Sequence, residues 1–159
     1  MIIVSACLAG INCNYKGKSS PNKKVIELTK KGKAVAVCPE QLGGLTTPRS
    51  GARIVSGNGN DVLNQKSKLI TDDDQDVTQE YIRGANETFF ISKKFDSSAV
   101  ILKQGSPSCG NGRTQGGIKF REQVGGDGVT TALLKRNGIK VFSEEDLEDE
   151  KIWKTLVED

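Results

Sequence analysis

Short apolar runs punctuated by glycine, proline and polar turns set the pattern of this chain. Ile2-Ile3-Val4-Ser5-Ala6 reads as a first buried strand, followed by a loop rich in Gly, Asn and Lys. A helix is expected over about Asn22 to Lys31, ended by Gly32. Lys33 to Val37 is a second apolar strand, stopped by Pro39, which has no N–H for a ladder. Strand, helix and strand make a βαβ unit.

From Gly43 to Ile70 the periodicity loosens. Arg53-Ile54-Val55 and Asp61-Val62-Leu63 bracket Ser56-Gly57-Asn58-Gly59-Asn60, whose Asn-Gly pair suits a tight hairpin. Val77 to Phe95 carries the longest helical pattern, with Tyr81, Ile82, Ala85, Phe89 and Ile91 on its core face. Asp73, Asp74 and Asp76 suit its positive N-terminus. Strand Ala99 to Leu102, a glycine-rich loop, a helix over Gly128 to Asn137 and strand Ile139 to Phe142 follow. Ser143, with Asp146 three residues on, resembles a capping box that opens a last helix. This order predicts a three-layer α/β domain with a mostly parallel, Rossmann-like sheet, right-handed crossovers and a hairpin excursion. The 159 residues suit one domain over the whole chain.

Composition narrows the chemistry. The chain has no histidine, so Ser-His-Asp triads, His-bound zinc and His-ligated haem are excluded. A net charge of +3 gives no support for a dedicated nucleic-acid face and leaves only a modest RNA contact open. The apolar runs fall far short of the roughly 18 residues a membrane span requires, and no basic region precedes a signal-like core. A cytoplasmic protein, monomeric or a small homo-oligomer, is therefore expected. In that compartment its cysteines, Cys7, Cys13, Cys38 and Cys109, suit metal binding or catalysis better than disulfides.

Ligands of open parallel sheets bind beyond the carboxyl ends of the strands, near the point where strand order reverses. Cys7 and Cys38 end the first two strands and Cys109 lies just past the third, so three thiols aim at one rim. Each alone reads as a small core residue; together they predict a shared metal or cluster site, with Cys13 left open. Close Cys-x-x-Cys pairs are absent, and thiolates without histidine favour iron–sulfur chemistry over zinc. Glu40 follows Cys38-Pro39 at the same rim and is a candidate catalytic acid or base. Lys103, Ser106 and Ser108 share that position, and Arg49 is placed to clamp an anion or to pair with an acid. Two other signals are weaker. Tyr15-Lys16-Gly17-Lys18-Ser19 lacks the early glycine of a phosphate loop, with Asn12 in its place. Gly125-Gly126-Asp127-Gly128, at a helix N-terminus, is a candidate anion site or simply a turn.

Ser5-Ala6-Cys7-Leu8-Ala9-Gly10, Val37-Cys38-Pro39-Glu40 with Gly43-Gly44-Leu45 and Thr47-Pro48-Arg49, Ser106-Pro107-Ser108-Cys109-Gly110, and Gly128-Val129-Thr130 with Ala132-Leu133-Leu134 together resemble the thiouracil desulfidase (TudS) family. The resemblance covers nearly the whole chain. It implies a [4Fe-4S] cluster held by only Cys7, Cys38 and Cys109, and non-redox desulfuration of a thiolated nucleobase such as 2-thiouracil, with sulfide released to the open iron. Glu40 would then act as general base and acid, with Ser106, Ser108 or Lys103 orienting the water. The chain departs from the family pattern at Asn14 and Lys16, where arginine and aspartate are usual. Two other readings keep a metal site: sulfur transfer to an acceptor such as tRNA, and a non-catalytic iron–sulfur or metal-binding module.

Overall fold

A computed structural model describes residues 1–117 and 122–158. Strands β1 (Ile2–Ser5), β2 (Ala34–Val37), β5 (Ala99–Leu102) and β8 (Val141–Ser143) form a parallel sheet in the order β2-β1-β5-β8. Ile2 pairs with Ala34 on one side and Ala99 on the other, and Val100 pairs with Val141. The chain steps from β1 to β2 in one direction and then crosses back to β5. The crevice at the carboxyl ends of β1 and β5 is thus the switch point of the sheet.

Alternation along β1 sends side chains to both faces. Ile2 and Val4 pack with Val25 and Leu28 of α1 (Lys23–Lys30) and Leu156 of α6 (Glu150–Glu158). Ile3, Val100 and Leu102 pack on the opposite side with Leu134 of α5 (Val129–Arg136) and Phe89 of α4 (Thr78–Lys94). Helix α1 carries the step in one direction, and α4 and α5 carry the two steps in the other from the opposite face. All three crossovers therefore share one hand, as the parallel-strand rule demands. The three-layer, mostly parallel α/β architecture expected from the sequence is the one observed.

The excursion differs from expectation. Strand β3 (Ala52–Ile54) pairs antiparallel not with Asp61–Leu63 but with β4 (Leu69–Thr71). Residues Gly59–Leu63 instead form helix α3, because the Asn58 side chain caps it and the Asp61 carboxylate returns to the Asn58 N–H. The Asn-Gly pair starts a helix rather than turning a hairpin. This unit buries Ala52, Ile54, Val62 and Leu69 against Val77, Tyr81 and Ala85 and against Val129 of α5. A second short hairpin, β6 (Arg113–Gln115) with β7 (Gln123–Gly125), lies inside the glycine-rich loop. The predicted cap at Ser143 is also displaced. Its reciprocal bonds with Asp146 form, but they lead into a 3-10 turn, Asp146–Glu148. At the start of α6 the Asp149 carboxylate accepts the Lys151 N–H. No helix among the described residues is long and apolar enough to cross a membrane.

Candidate active site

Three connections beyond the sheet enclose one cavity of about 230 Å³, and Cys7, Cys13, Cys38 and Cys109 all line it. Cys7 leaves β1. Cys38 leaves β2 and is the N-cap residue of the short helix α2 (Pro39–Leu42), whose Pro39 gives up only an N–H the first turn leaves unpaired. Cys109 sits in the loop after β5, and that loop is clamped by α5. The first N–H groups of α5 bond to loop carbonyls: Val129 to Pro107 at 2.9 Å and Thr130 to Ser108 at 2.9 Å. The Thr131 hydroxyl donates to the Cys109 carbonyl at 2.9 Å. Gly128 allows this contact, since a Cβ there would lie 2.6 Å from the Ser108 carbonyl carbon. The helix N-terminus considered for an anion is therefore spent on holding the cysteine loop.

Glu40 is the hub of the polar side. Its Oε1 accepts from Arg49 Nε at 3.0 Å and from the Tyr81 hydroxyl at 2.9 Å. Its Oε2 accepts from the Ser108 hydroxyl at 2.8 Å. Ser108 Oγ also lies 3.4 Å from Cys109 Sγ and 3.3 Å from Ser106 Oγ, while Ser106 Oγ accepts the Cys109 N–H at 2.8 Å. Ser5 Oγ lies on the other side of Cys109 Sγ at 3.6 Å and is fixed by the Lys103 N–H at 2.9 Å. Arg49 continues to the Cys13 carbonyl at 2.9 Å and approaches Cys38 Sγ at 3.9 Å.

Burial governs the protonation of this wall. The Glu40 and Arg49 side chains are only 13% and 7% exposed. Burial lowers the Arg49 guanidinium pKa, but the Glu40 charge and hydrogen bond outweigh it, so the arginine stays cationic. Burial and then the Glu40 charge push the Tyr81 phenol well up, which keeps it a donor. Burial likewise pushes the Cys109 thiol up to about 12, against the lowering effect of Ser108 and Ser5. Cys38 is raised by its contact with Cys13 and by burial. Cys13 is pulled down by Cys38, but contact with Cys7 and burial prevail and push it up to about 11.

The sequence-selected residues Cys7, Cys38, Cys109, Glu40, Ser106, Ser108 and Lys103 all border this cavity. Glu40 and the two serines form one connected network, whereas the Lys103 ammonium turns to Glu144 at 2.5 Å and to the Gln104 carbonyl. Arg49 pairs with an acid. Ser5 and the Tyr81 hydroxyl carry no local signal in the sequence, because one sits in an apolar strand and the other on an apolar helix face. Lys16 and Lys18 belong to a turn ordered by Asn14, whose side chain accepts both of their N–H groups.

Comparison with known proteins bears directly on this cavity. A model of the 2-thiouracil desulfurase family matches residues 2–146. The chain belongs to the 2-thiouracil desulfurase family. Within it, the chain is 47% identical over 149 residues to the uncharacterized protein YbbK of Bacillus subtilis (strain 168), covering 94% of this chain and 99% of that one. It also superposes on a solved structure of the [4Fe-4S]-dependent thiouracil desulfidase TudS with a TM-score of 0.83. That match is 39% identical and covers 98% of this chain and 97% of the other.

The donor set suits a group of the kind this desulfurase-family relative depends on. Soft thiolates without histidine are the ligands of iron–sulfur clusters. Among the described residues no three Cys, Asp or Glu side chains meet at one point as a single metal ion requires. The thiols instead ring a cavity, which is what a multi-atom group needs.

Proposed function

We propose that this protein is an iron–sulfur-dependent desulfidase that removes sulfur from a thiolated nucleobase such as 2-thiouracil. Family membership and the likeness to TudS support the reaction class. The observation that carries the residue assignments is the hydrogen-bonded line Ser106, Ser108, Glu40 beside Cys109. Cys7, Cys38 and Cys109 would hold the cluster. When bound, such a cluster supplies a soft Lewis acid that polarises a carbon–sulfur bond.

The overall change is hydrolytic: water's oxygen joins the carbon, the carbon–sulfur bond breaks, and both water protons leave with sulfide. No electrons are gained or lost. Glu40 takes the first proton on Oε2, directly or through Ser108, and later returns it. Arg49 and Tyr81 occupy Oε1 and so leave Oε2 as the working oxygen. Ser106, one hydroxyl further along the line, orients the attacking water. Lys103, whose ammonium is paired with Glu144, fixes Ser5 through its backbone N–H.

Glu40→Gln tests this. The amide keeps the size of the side chain but removes its basicity, so turnover of 2-thiouracil should fall by about 10²- to 10⁴-fold with iron and sulfide content unchanged. Undiminished turnover with a full complement of iron would remove Glu40 from the chemistry. Absence of thiouracil turnover in the anaerobically reconstituted wild type would overturn the desulfidase reading.

A further inference from the structure

One polar group of the cavity has no place in the network above. The side-chain nitrogen of Gln115 is buried and has no hydrogen-bond partner among the described residues, and Gln115 lines the cavity. Its position is rigidly set from both sides. The Thr114 hydroxyl donates to the Ser106 carbonyl at 3.0 Å, and Gly116 bridges to Ile54 of β3. The cross-strand neighbour Gln123 pairs with Gln115 in register but turns its own amide to the Gly105 carbonyl at 3.3 Å. Gln115 has no such partner among the described residues, and because the residue borders the cavity, a side-chain rotation brings its amide there.

A carboxamide nitrogen shielded from solvent and without an acceptor among the described residues is a cost to the folded chain that a ligand acceptor removes. Whichever way round the amide stands, it offers one donor and one acceptor side by side. The complementary partner is a planar edge with adjacent C=O and N–H groups. 2-Thiouracil retains such a lactam edge, N3–H beside C4=O, next to the carbon that bears sulfur.

We propose that Gln115 is a specificity-determining residue that reads the lactam edge of the thiolated nucleobase by a paired hydrogen bond. This rests on the desulfidase reading, and it adds a requirement: the substrate must carry a carbonyl and an N–H beside the thiocarbonyl. Pyrimidine-2-thione has the thiocarbonyl but lacks the carbonyl at C4, so it separates sulfur chemistry from edge recognition.

The experiment compares wild type and Gln115→Leu, both anaerobically reconstituted, on 2-thiouracil and pyrimidine-2-thione. Calorimetric binding of sulfur-free uracil is measured alongside. Loss of two neutral hydrogen bonds predicts a fall of about 30-fold in kcat/KM for 2-thiouracil, carried mainly by KM. Uracil affinity should fall by a similar factor, and the preference over pyrimidine-2-thione should collapse. An unchanged preference and unchanged uracil affinity at equal iron content would overturn the role of Gln115 and leave the desulfidase reading intact. If the wild type processes neither thione yet Gln115→Leu still weakens uracil binding, the desulfidase reading falls and edge recognition stands. If uracil does not bind the wild type either, both fall. Gln115→Met serves where the leucine variant fails to load; if neither variant loads, Gln115 is structural and the proposal is wrong.

Discussion

At the scale of single residues, the cysteines divide by what surrounds them. Cys109 is flanked by the Ser5 and Ser108 hydroxyls, and Cys38 has the Arg49 guanidinium at 3.9 Å. Such donors stabilise a thiolate once its proton has been displaced. The Cys13 thiol feels the Arg49 charge more weakly than its contacts with Cys38 and Cys7, and no hydroxyl donates to it among the described residues. The assignment of Cys7, Cys38 and Cys109 as ligands therefore predicts that alanine at each of these leaves little bound iron after anaerobic reconstitution. Cys13→Ala should keep about four irons per chain, the content of a [4Fe-4S] cluster. Iron and sulfide counts with the visible spectrum decide it. A Cys13→Ala chain without a cluster beside a Cys109→Ala chain with one would reverse the ligand set.

At the scale of elements, the placing of the Glu40 carboxylate depends on how α2 sits on α4. Gly43 and Gly84 make the approach possible: a Cβ on Gly84 would lie 1.9 Å from the Pro39 carbonyl oxygen, and one on Gly43 1.9 Å from the Glu80 carbonyl oxygen. Both obstacles are backbone, so neither can swing aside. Alanine favours a helix over glycine by about 1 kcal/mol, but forcing α2 away should cost about 3 kcal/mol in strain and lost packing. The net cost of about 2 kcal/mol means that Gly84→Ala should lower Tm by roughly 4–8 °C. Because α2 carries Glu40 and is capped by Cys38, the same variant should lose both turnover and iron. A Tm equal to that of the wild type would show that the two helices yield without strain. This contact was hidden in the sequence, where Gly84 interrupts an ordinary helical pattern. The parallel strands were legible because apolar runs such as Ile2–Val4 and Ala34–Val37 are followed within a few residues by cysteine, glycine or proline. Their rim position then gathered the thiols and Glu40. The strand expected at Arg53-Ile54-Val55 overlaps β3, but its partner β4 was not legible, since Leu69–Thr71 is too short to show a period. Asp61 reads as part of a strand in the sequence, but the capping box it shares with Asn58 places it in the first turn of α3. Arg49 and Tyr81 meet at Glu40 only through tertiary packing, which no local spacing encodes.

At the scale of the whole molecule, the burial that shapes the cavity also sets how stability responds to pH. In the folded cluster-free chain Cys109 titrates at about 12 and Cys13 at about 11, with Cys38 and Tyr81 also raised. In an unfolded chain the same thiols titrate near 8.5 and the phenol near 10, roughly. Above about pH 8.5 the unfolded state therefore holds fewer protons than the folded one, and stability must decline with rising pH. The contribution is fully present below that value and is lost progressively as pH rises toward the folded pKa values. The denaturation midpoint of the reduced, cluster-free protein should accordingly be flat between pH 7 and 8 and fall from about pH 9 to 10. Cys109→Ala should flatten that fall by removing one of the raised groups. Cluster loading carries the opposite sign: thiol ligands must give up their protons to bind, so affinity for the cluster should rise over the same interval. A midpoint that stays level or rises between pH 8 and 10 in the empty chain would mean that the thiols are already ionised in the fold. The hydroxyl donors around Cys109 would then outweigh its burial, and the cavity would be built to receive a cluster without expelling protons.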